Sequence, residues 1–149
     1  MLAAFGYAPD PARPGWQVRR PTGNNRFLDV YGEMAVCAEE ERRARLTLTP
    51  GDVHRNVVDT VHGGFLLAIV DHALFVGPGA IGIERAAAGV TIDVSTQFLK
   101  PVVPNRPIEV LIEVLQDTYR MVFMRGTIEQ DNVAALAFSG TIKKASVGS

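Results

Sequence analysis

The 149-residue sequence has only one cysteine, Cys37, and three histidines. A lone cysteine cannot form an internal disulfide, which excludes a secreted disulfide scaffold and favours a reducing compartment. One cysteine and three histidines are also poor material for a structural zinc site, so we expect no metal site.

The sequence has no excess of charge of one sign either, since 15 basic residues stand against 16 acidic ones. This balance favours neither nucleic acid nor an anionic membrane as a partner. The N-terminus has no basic stretch ahead of an apolar run, so we expect no signal peptide. The longest apolar run is interrupted by Asp71 and His72 and falls short of the ~20 residues of a membrane-spanning helix. We expect one soluble, cytoplasmic globular domain.

Residues 1–26 are rich in proline, glycine and arginine. This composition predicts an extended N-terminal arm with little structure of its own, ahead of a domain at 27–149. Within that domain, apolar residues at alternate positions predict strands. They lie at 33–38, 45–49, 90–99, 107–115, 120–129 and 133–143.

The segment that begins at His62-Gly63-Gly64 is apolar at nearly every position, which predicts one buried helix. We expect the helix to end at Gly77-Pro78-Gly79, because both residue types oppose helix continuation. The order of elements favours an α+β fold with an antiparallel sheet wrapped around this helix. Since one sheet cannot cover a helix that is apolar on all sides, we expect a second copy of the chain to cover the rest.

Asp71 stands in the middle of the apolar helix, within Leu66 to Phe75. A carboxylate is costly to bury unpaired, and such groups are candidates for function. The structural alternative is that Asp71 faces a gap filled by solvent, or pairs with His72 or an arginine.

Gly63 and Gly64 stand where the helix begins. Helix N-termini present unpaired N–H groups and the positive end of the helix dipole, which can stabilise an oxygen that gains negative charge. The alternative is a plain turn into the helix, which Gly-Gly alone does not exclude.

The spacing of Gly63 and Asp71 constrains a site that uses both. Eight residues of helix separate them by about 12 Å, at ~1.5 Å per residue. An aspartate side chain cannot span this gap, so both groups can act on one atom only if they come from different chains. Two antiparallel helices across a two-fold axis would create two such sites at a dimer interface.

The sequence resembles the hotdog-fold acyl-CoA thioesterases, above all the phenylacetate-pathway type and its eukaryotic relatives. The resemblance covers roughly residues 27–145. It depends on the order and spacing of Asn56, His62-Gly63-Gly64, Asp71, Gly89–Asp93 and Phe98–Pro101. It implies a hotdog fold, homodimers or homotetramers, and hydrolysis of an acyl-CoA substrate without a cofactor.

The resemblance also implies roles for individual residues. Asp71 matches the general base or nucleophile, and Gly63 matches the residue whose N–H polarises the thioester carbonyl. His62 and Asn56 match residues that position the thioester or the catalytic water. Thr91 matches a residue that helps hold the water, contributed together with Asp71 by the partner chain.

Contacts with the substrate are expected from Gly64, Phe65 and Lys100. Apolar residues of the helix, with Phe65, Leu66 and Phe75 as candidates, would line the acyl pocket. The phosphates of coenzyme A favour basic side chains. Candidates besides Lys100 are Arg106, Arg120, Arg125, Lys143 and Lys144.

One position departs from the family pattern, because Asp59 stands where relatives commonly carry the glycine of Asn-x-x-Gly. This puts the conformation of the loop before His62 in question. Three functions stay open: an aryl- or short- to medium-chain acyl-CoA thioesterase, a non-catalytic acyl-CoA-binding module, and an acyl hydratase. Retention of Asp71 favours the thioesterase, and the residue pattern of the hydratases is not found.

Overall fold

The computed structural model describes residues 2–148, which form one antiparallel sheet of eight strands and one long helix. The strands follow the order β1-β2-β3-β4-β6-β7-β8-β5 across the sheet. Their bounds are β1 Ala8–Pro9, β2 Trp16–Arg19, β3 Met34–Glu39, β4 Arg43–Leu48, β5 Val90–Phe98, β6 Ile108–Asp117, β7 Met121–Gln130 and β8 Val133–Lys143. The helix, α1, is Gly63–Ile81, and short 3-10 helices lie at Leu2–Phe5, Phe27–Tyr31 and Asp52–His54.

The strands form where apolar residues alternate, because one face of the sheet packs on the helix. In β6, for example, Ile108, Val110 and Ile112 are buried between more exposed neighbours. Tight turns join the hairpins. Asp131 and Asn132, between β7 and β8, both have positive φ, as a two-residue hairpin turn requires. The predicted strands and hairpins are confirmed.

The sheet curves around α1 and buries most of it, so the predicted hotdog architecture is confirmed. The helix is long and apolar enough to cross a membrane by length and composition alone, yet it is mostly buried inside this sheet. One stripe stays uncovered in the single chain. Gly64, Leu67 and Asp71 are exposed there, which agrees with the expectation that one sheet cannot cover the helix alone, while its covering by a second copy stays a prediction.

The predicted end of α1 is wrong. The helix continues through Gly77-Pro78-Gly79 to Ile81, and the N–H of Gly82 caps it by donating to the carbonyl of Gly79 at 3.2 Å. Gly82 has a φ of 95°, the left-handed conformation that commonly ends a helix.

Packing explains why glycine and proline are tolerated in this last turn. A Cβ on Gly77 would meet Ile112 of β6 at 3.1 Å, and one on Gly79 would meet Leu2 at 2.7 Å. The two glycines let the end of the helix approach β6 and the N-terminal residues closely. Tertiary contacts therefore outweigh the low helix propensity of this segment.

The expectation of an N-terminal arm with little structure is wrong for residues 2–19. They form a 3-10 helix and strands β1 and β2, which extend the sheet beyond β3. Leu2 and Tyr7 are buried in the same core as the helix. These two side chains attach the proline-rich stretch to the core. The composition of the stretch alone does not reveal such packing. The boundary between residues 26 and 27 stays a prediction.

Candidate functional site

The first turn of α1 leaves one backbone donor available. The N–H of Gly64 donates to Nδ1 of His62 at 2.8 Å. The N–H groups of Phe65 and Leu66 both donate to the carbonyl of His62, at 3.0 and 3.2 Å. Within residues 2–148 the N–H of Gly63 has no acceptor. A free N–H at the positive end of a helix is suited to bind a carbonyl oxygen or an oxyanion.

The loop before this turn is held by Asn56. Its side-chain oxygen accepts the N–H groups of Val58 and Thr60, at 3.0 and 3.1 Å, and its amide donates to Oγ1 of Thr60 at 2.8 Å. Asp59 adopts a φ of 63°, the left-handed conformation that glycine favours and that aspartate tolerates better than most residues. The departure at position 59 therefore leaves a glycine-like loop.

A cleft of about 340 Å³ opens at Gly63, which we call the Gly63 cleft. Asn56 and Lys100 lie on its wall, while a Cβ on Gly63 would meet the ring of Phe98 at 3.3 Å. Glycine thus lets the backbone N–H and the aromatic ring share a narrow space.

Pairing with carboxylates separates the basic candidates for phosphate binding. Three of them form ion pairs, Arg106 with Asp131, Arg125 with Glu113, and Lys144 with Asp117. In the part of the chain that the structure describes, no carboxylate pairs with Lys100, Arg120 or Lys143. Of these three, Lys100 alone lines the Gly63 cleft.

Asp71 lies two turns further along the same exposed stripe. Its Oδ1 accepts a hydrogen bond of 2.6 Å from Oγ1 of Thr91, at the start of β5. Among residues 2–148 no donor contacts Oδ2. The structure thus brings Asp71 and Thr91 of one chain together, with one carboxylate oxygen left available. Asp71 is exposed in the single chain. Water can therefore be excluded from its carboxylate only by a surface that covers this stripe.

His72 does not pair with Asp71. It points into the core, where Nε2 lies 2.9 Å from the hydroxyl of Tyr7. Burial, with a smaller effect of Arg19, lowers the pKa of His72 to about 4, so the ring is neutral near pH 7. Burial also raises the pKa of Tyr7 and that of Tyr31 above the ordinary value.

A second space, of about 420 Å³, opens beside Asp71, and we call it the Asp71 cavity. Its walls are mostly apolar and aromatic. They include Phe5, Phe27, Leu28, Tyr31, Ala68 and Phe75, together with Ala87–Gly89. Asp71 is the one formally charged side chain among the residues that line it, since His72 is neutral.

The apolar candidates of the helix separate in the structure. Phe75 lines the Asp71 cavity and Leu66 lines the Gly63 cleft. Phe65 reaches neither space, because its ring stacks on His54 at 3.7 Å in the core. The expected contact between Phe65 and substrate therefore has no support in the single chain.

Sequence reasoning missed Phe5, Phe27 and Tyr31 as parts of a candidate site. The available signal was that five aromatic residues occur within the first 31 residues, a stretch rich in proline and glycine. Such residues need a surface to pack on, but the sequence does not show that this surface surrounds Asp71.

The two spaces belong to different positions on one helix. Gly63 borders the first and Asp71 the second, and about 12 Å of helix separates them at ~1.5 Å per residue. In one chain, the free N–H and the carboxylate cannot act on the same atom.

Several known proteins are similar to this chain. Human acyl-coenzyme A thioesterase 13 is 22% identical over 106 residues, which cover 71% of this chain and 74% of that protein. A mutant of the phenylacetic acid degradation protein PaaI from Thermus thermophilus superposes with a TM-score of 0.67 at 19% identity, covering 80% of this chain and 98% of that one. A hypothetical thioesterase from Streptococcus pneumoniae, solved with coenzyme A, gives a TM-score of 0.69 at 15% identity, covering 79% and 90%.

These solved structures share the fold with this chain. Residues 52–143, more than half of the sequence, match the family described as "Acyl-CoA thioesterase N-terminal domain". The match includes the loop of Asn56, the start of α1, Asp71 and Thr91. The chain therefore belongs to the acyl-CoA thioesterase N-terminal domain family.

Proposed function

We propose that this protein hydrolyses the thioester of an aryl- or short- to medium-chain acyl-CoA at sites shared between two copies of the chain. One observation carries the proposal. Gly63, whose N–H is free of any acceptor within residues 2–148, and Asp71, whose carboxylate accepts a hydrogen bond from Thr91 of β5, both lie on α1 where the single chain leaves the helix partly or fully exposed.

The chemistry follows from these two groups. The N–H of Gly63 stabilises the negative charge that develops on the carbonyl oxygen. Asp71 takes a proton from water, whose oxygen adds to the carbonyl carbon, and the thiolate of coenzyme A leaves with that proton. Alternatively, Asp71 attacks the carbon itself and expels the thiolate of coenzyme A, and water then hydrolyses the resulting anhydride, which releases the carboxylic acid and restores the carboxylate of Asp71. The hydroxyl of Thr91 orients the carboxylate in either case through its 2.6 Å hydrogen bond.

Formation of a dimer brings the N–H of Gly63 close to the carboxylate of Asp71 from the other chain. Two α1 helices that cross antiparallel place Gly63 of each opposite Asp71 of the other. Gly64 and Ala68 on the exposed side are small enough for close approach, and Leu67 supplies apolar surface. Strand β5 is an edge of the sheet and exposes Val90 and Ile92. These surfaces support a homodimer, or a homotetramer built from it.

The Gly63 cleft suits the coenzyme A end of the substrate. Lys100 offers a positive charge with no carboxylate partner in the described chain, and phosphates favour such groups. His62 and Asn56 act as positioning residues, since their side chains hold the first turn and the loop before it. A cytoplasmic location belongs to the same proposal, because the one cysteine fits a reducing compartment.

Co-expression of two inactive variants tests the shared site. Gly63→Pro removes the N–H, and proline suits this position because it is the first of the helix and His62 before it has an extended ψ of 131°. Asp71→Ala removes the carboxylate. Alone, each variant is expected to lose at least ~100-fold in kcat, measured by thiol release from a panel of acyl-CoAs. Random mixing should restore roughly a quarter of the wild-type rate, because half of the dimers then hold one intact site.

Gly63→Ala is the matched control, since it adds the same Cβ beside Phe98 but keeps the N–H. It is expected to retain most of the activity. No recovery after mixing, with both variants folded and dimeric, would contradict sites shared between chains. A wild-type protein that binds acyl-CoA without turnover would instead favour the binding module.

A further inference from the structure

The residues before β3 form a wall around Asp71. We use the name N-terminal segment for residues 2–31, which lie outside the part that matches the family. Phe5 comes from one end of this segment, and Phe27, Leu28 and Tyr31 come from the other. All four line the Asp71 cavity, so both ends of the segment meet at this space.

A buried arginine joins the two ends. Arg19 is 4% exposed, and its guanidinium donates to the carbonyl of Phe5 at 2.8 Å and to that of Leu28 at 3.2 Å. It also forms an ion pair of 2.9 Å with Asp29. Asp29 in turn accepts the N–H groups of Thr22 and Gly23, at 3.1 and 2.9 Å. One side chain therefore fixes the positions of two wall residues that are distant in sequence.

Two further contacts attach the segment to α1 on either side of Asp71. The hydroxyl of Tyr31 donates to the carbonyl of Ala68 at 2.8 Å, and the hydroxyl of Tyr7 lies 2.9 Å from Nε2 of His72. The ring of Phe5 packs edge-on against His72, with ring centres 5.6 Å apart. These contacts fix the position of the wall relative to the Asp71 carboxylate, which the proposed function uses.

The charged side chains that line the two spaces indicate which part of an acyl-CoA the Asp71 cavity fits. The residues that line the Asp71 cavity include no lysine or arginine, and Asp71 would repel phosphates. Lys100 lies in the other space. An apolar cavity of about 420 Å³ is within the usual range for small-molecule sites, roughly 300–1,000 Å³. These properties fit the acyl group of the thioester rather than its nucleotide.

We infer that the N-terminal segment is the specificity-determining wall of the acyl pocket, and that Phe27 sets the largest acyl group the site accepts. The inference rests on the proposed function. Phe27 stands at the rim, where it is 65% exposed and packs edge-on against Tyr31 with ring centres 5.6 Å apart. Ala88, an exposed residue of the same lining, has a small side chain, so a larger residue there would take up part of the space.

Two substitutions of opposite sign test this inference. Values of kcat/KM are measured for phenylacetyl-CoA and for straight-chain acyl-CoAs from acetyl to hexadecanoyl. Phe27→Ala enlarges the pocket and is expected to raise kcat/KM for groups larger than the best wild-type substrate, relative to that substrate, by about tenfold or more. Ala88→Phe narrows the pocket and is expected to lower the same ratio by a similar factor. Phe123→Ala, an exposed phenylalanine on β7 outside the cavity, should leave the ratio unchanged.

Other outcomes overturn the inference in distinguishable ways. If the wild type is active and neither substitution shifts the ratio by more than about twofold, the segment does not set specificity, although the proposed function stands. Equal losses for every substrate would mark Phe27 and Ala88 as structural and also overturn it. If the wild type hydrolyses no acyl-CoA, both proposals fail together.

Discussion

The Gly63 cleft and the Asp71 cavity lie on one helix, yet they are built from different parts of the chain. The residues that line the Gly63 cleft fall within 56–66 and 98–102, all inside the part that matches the family. The Asp71 cavity takes one wall from residues 5–31, which precede that part. The proposed reacting groups therefore all lie within the family match, whereas one wall beside the carboxylate comes from a segment that the match does not include.

The two spaces also differ in how their shape is maintained. Backbone hydrogen bonds and the side chain of Asn56 hold the loop at the Gly63 cleft. Aromatic packing and the buried Arg19 hold the wall of the Asp71 cavity. A loop with a fixed backbone suits a donor that must point at one oxygen. A wall of side chains can change with single substitutions, which suits recognition of different acyl groups.

The largest expected effect comes from removing the charge at the Asp71 cavity. Asp71→Asn is nearly isosteric and keeps an oxygen that can accept from Thr91, but it removes the base or nucleophile. We expect kcat to fall by at least ~100-fold. Because the substitution is nearly isosteric and keeps an acceptor for Thr91, the dimer should persist and the free energy of unfolding should change by less than about 1 kcal/mol. Thiol release and urea denaturation measure the two quantities.

Glu84→Gln provides the matched loss of a carboxylate, because Glu84 is exposed just beyond α1 and lines neither space. It should keep wild-type turnover. Near-normal kcat in Asp71→Asn would show that Asp71 takes no part in the chemistry, and the Gly63 cleft and the Asp71 cavity would then be binding surfaces only.

The sequence predicted the parts of the fold that depend on local pattern. Alternating residues marked β5 and β8 to within one residue of their observed ends. In β8 this alternation reflects burial on one face, whereas β5 is exposed at most positions in the single chain. The end of α1 was wrong because Gly77 and Gly79 are used for close packing against Ile112 and Leu2, which are distant in sequence. Local rules cannot register such contacts.

The site divides in the same way. Family resemblance paired Asp71 with Thr91, and the structure brings them to 2.6 Å. The free N–H of Gly63 was expected from its place at the start of the helix. The wall of the Asp71 cavity could not be predicted, because it depends on Arg19, whose partners Phe5 and Leu28 have no sequence pattern in common.

The next largest effect is expected on the free energy of unfolding, and it comes from His72, which lines the Asp71 cavity. His72 has a pKa of about 4 in the folded protein and an ordinary value of 6.5. Below pH 6.5 the imidazole of His72 takes up a proton in the unfolded chain, whereas in the folded protein it stays neutral until about pH 4. The free energy of unfolding should therefore fall by up to about 3 kcal/mol as the pH decreases between these values, and the loss should stop below pH 4.

Two variants separate the cause of this fall. His72→Gln should flatten the dependence between pH 6.5 and 4, as measured by urea denaturation at a series of pH values. Tyr7→Phe removes the hydrogen bond but leaves the ring buried, and burial is the main cause of the lowered pKa of His72. It should therefore keep the dependence. A wild-type profile parallel to that of His72→Gln would mean that the ring takes up a proton in the folded state.

The smallest effect is expected at the Gly63 cleft, at the position that departs from the family pattern. Asp59 already adopts the left-handed conformation, and its carboxylate lies 4.0 Å from the guanidinium of Arg55 on the surface. Asp59→Gly should change the free energy of unfolding by less than about 1 kcal/mol, because relief of the strained backbone offsets the extra entropy of the unfolded chain. Asp59→Val should destabilise by about 1–2 kcal/mol, since a branched side chain opposes this conformation. If Asp59→Gly instead lowered kcat/KM by tenfold or more with stability unchanged, the Asp59 carboxylate would itself contribute to activity. The conformation of the loop would then not be its only contribution to the Gly63 cleft.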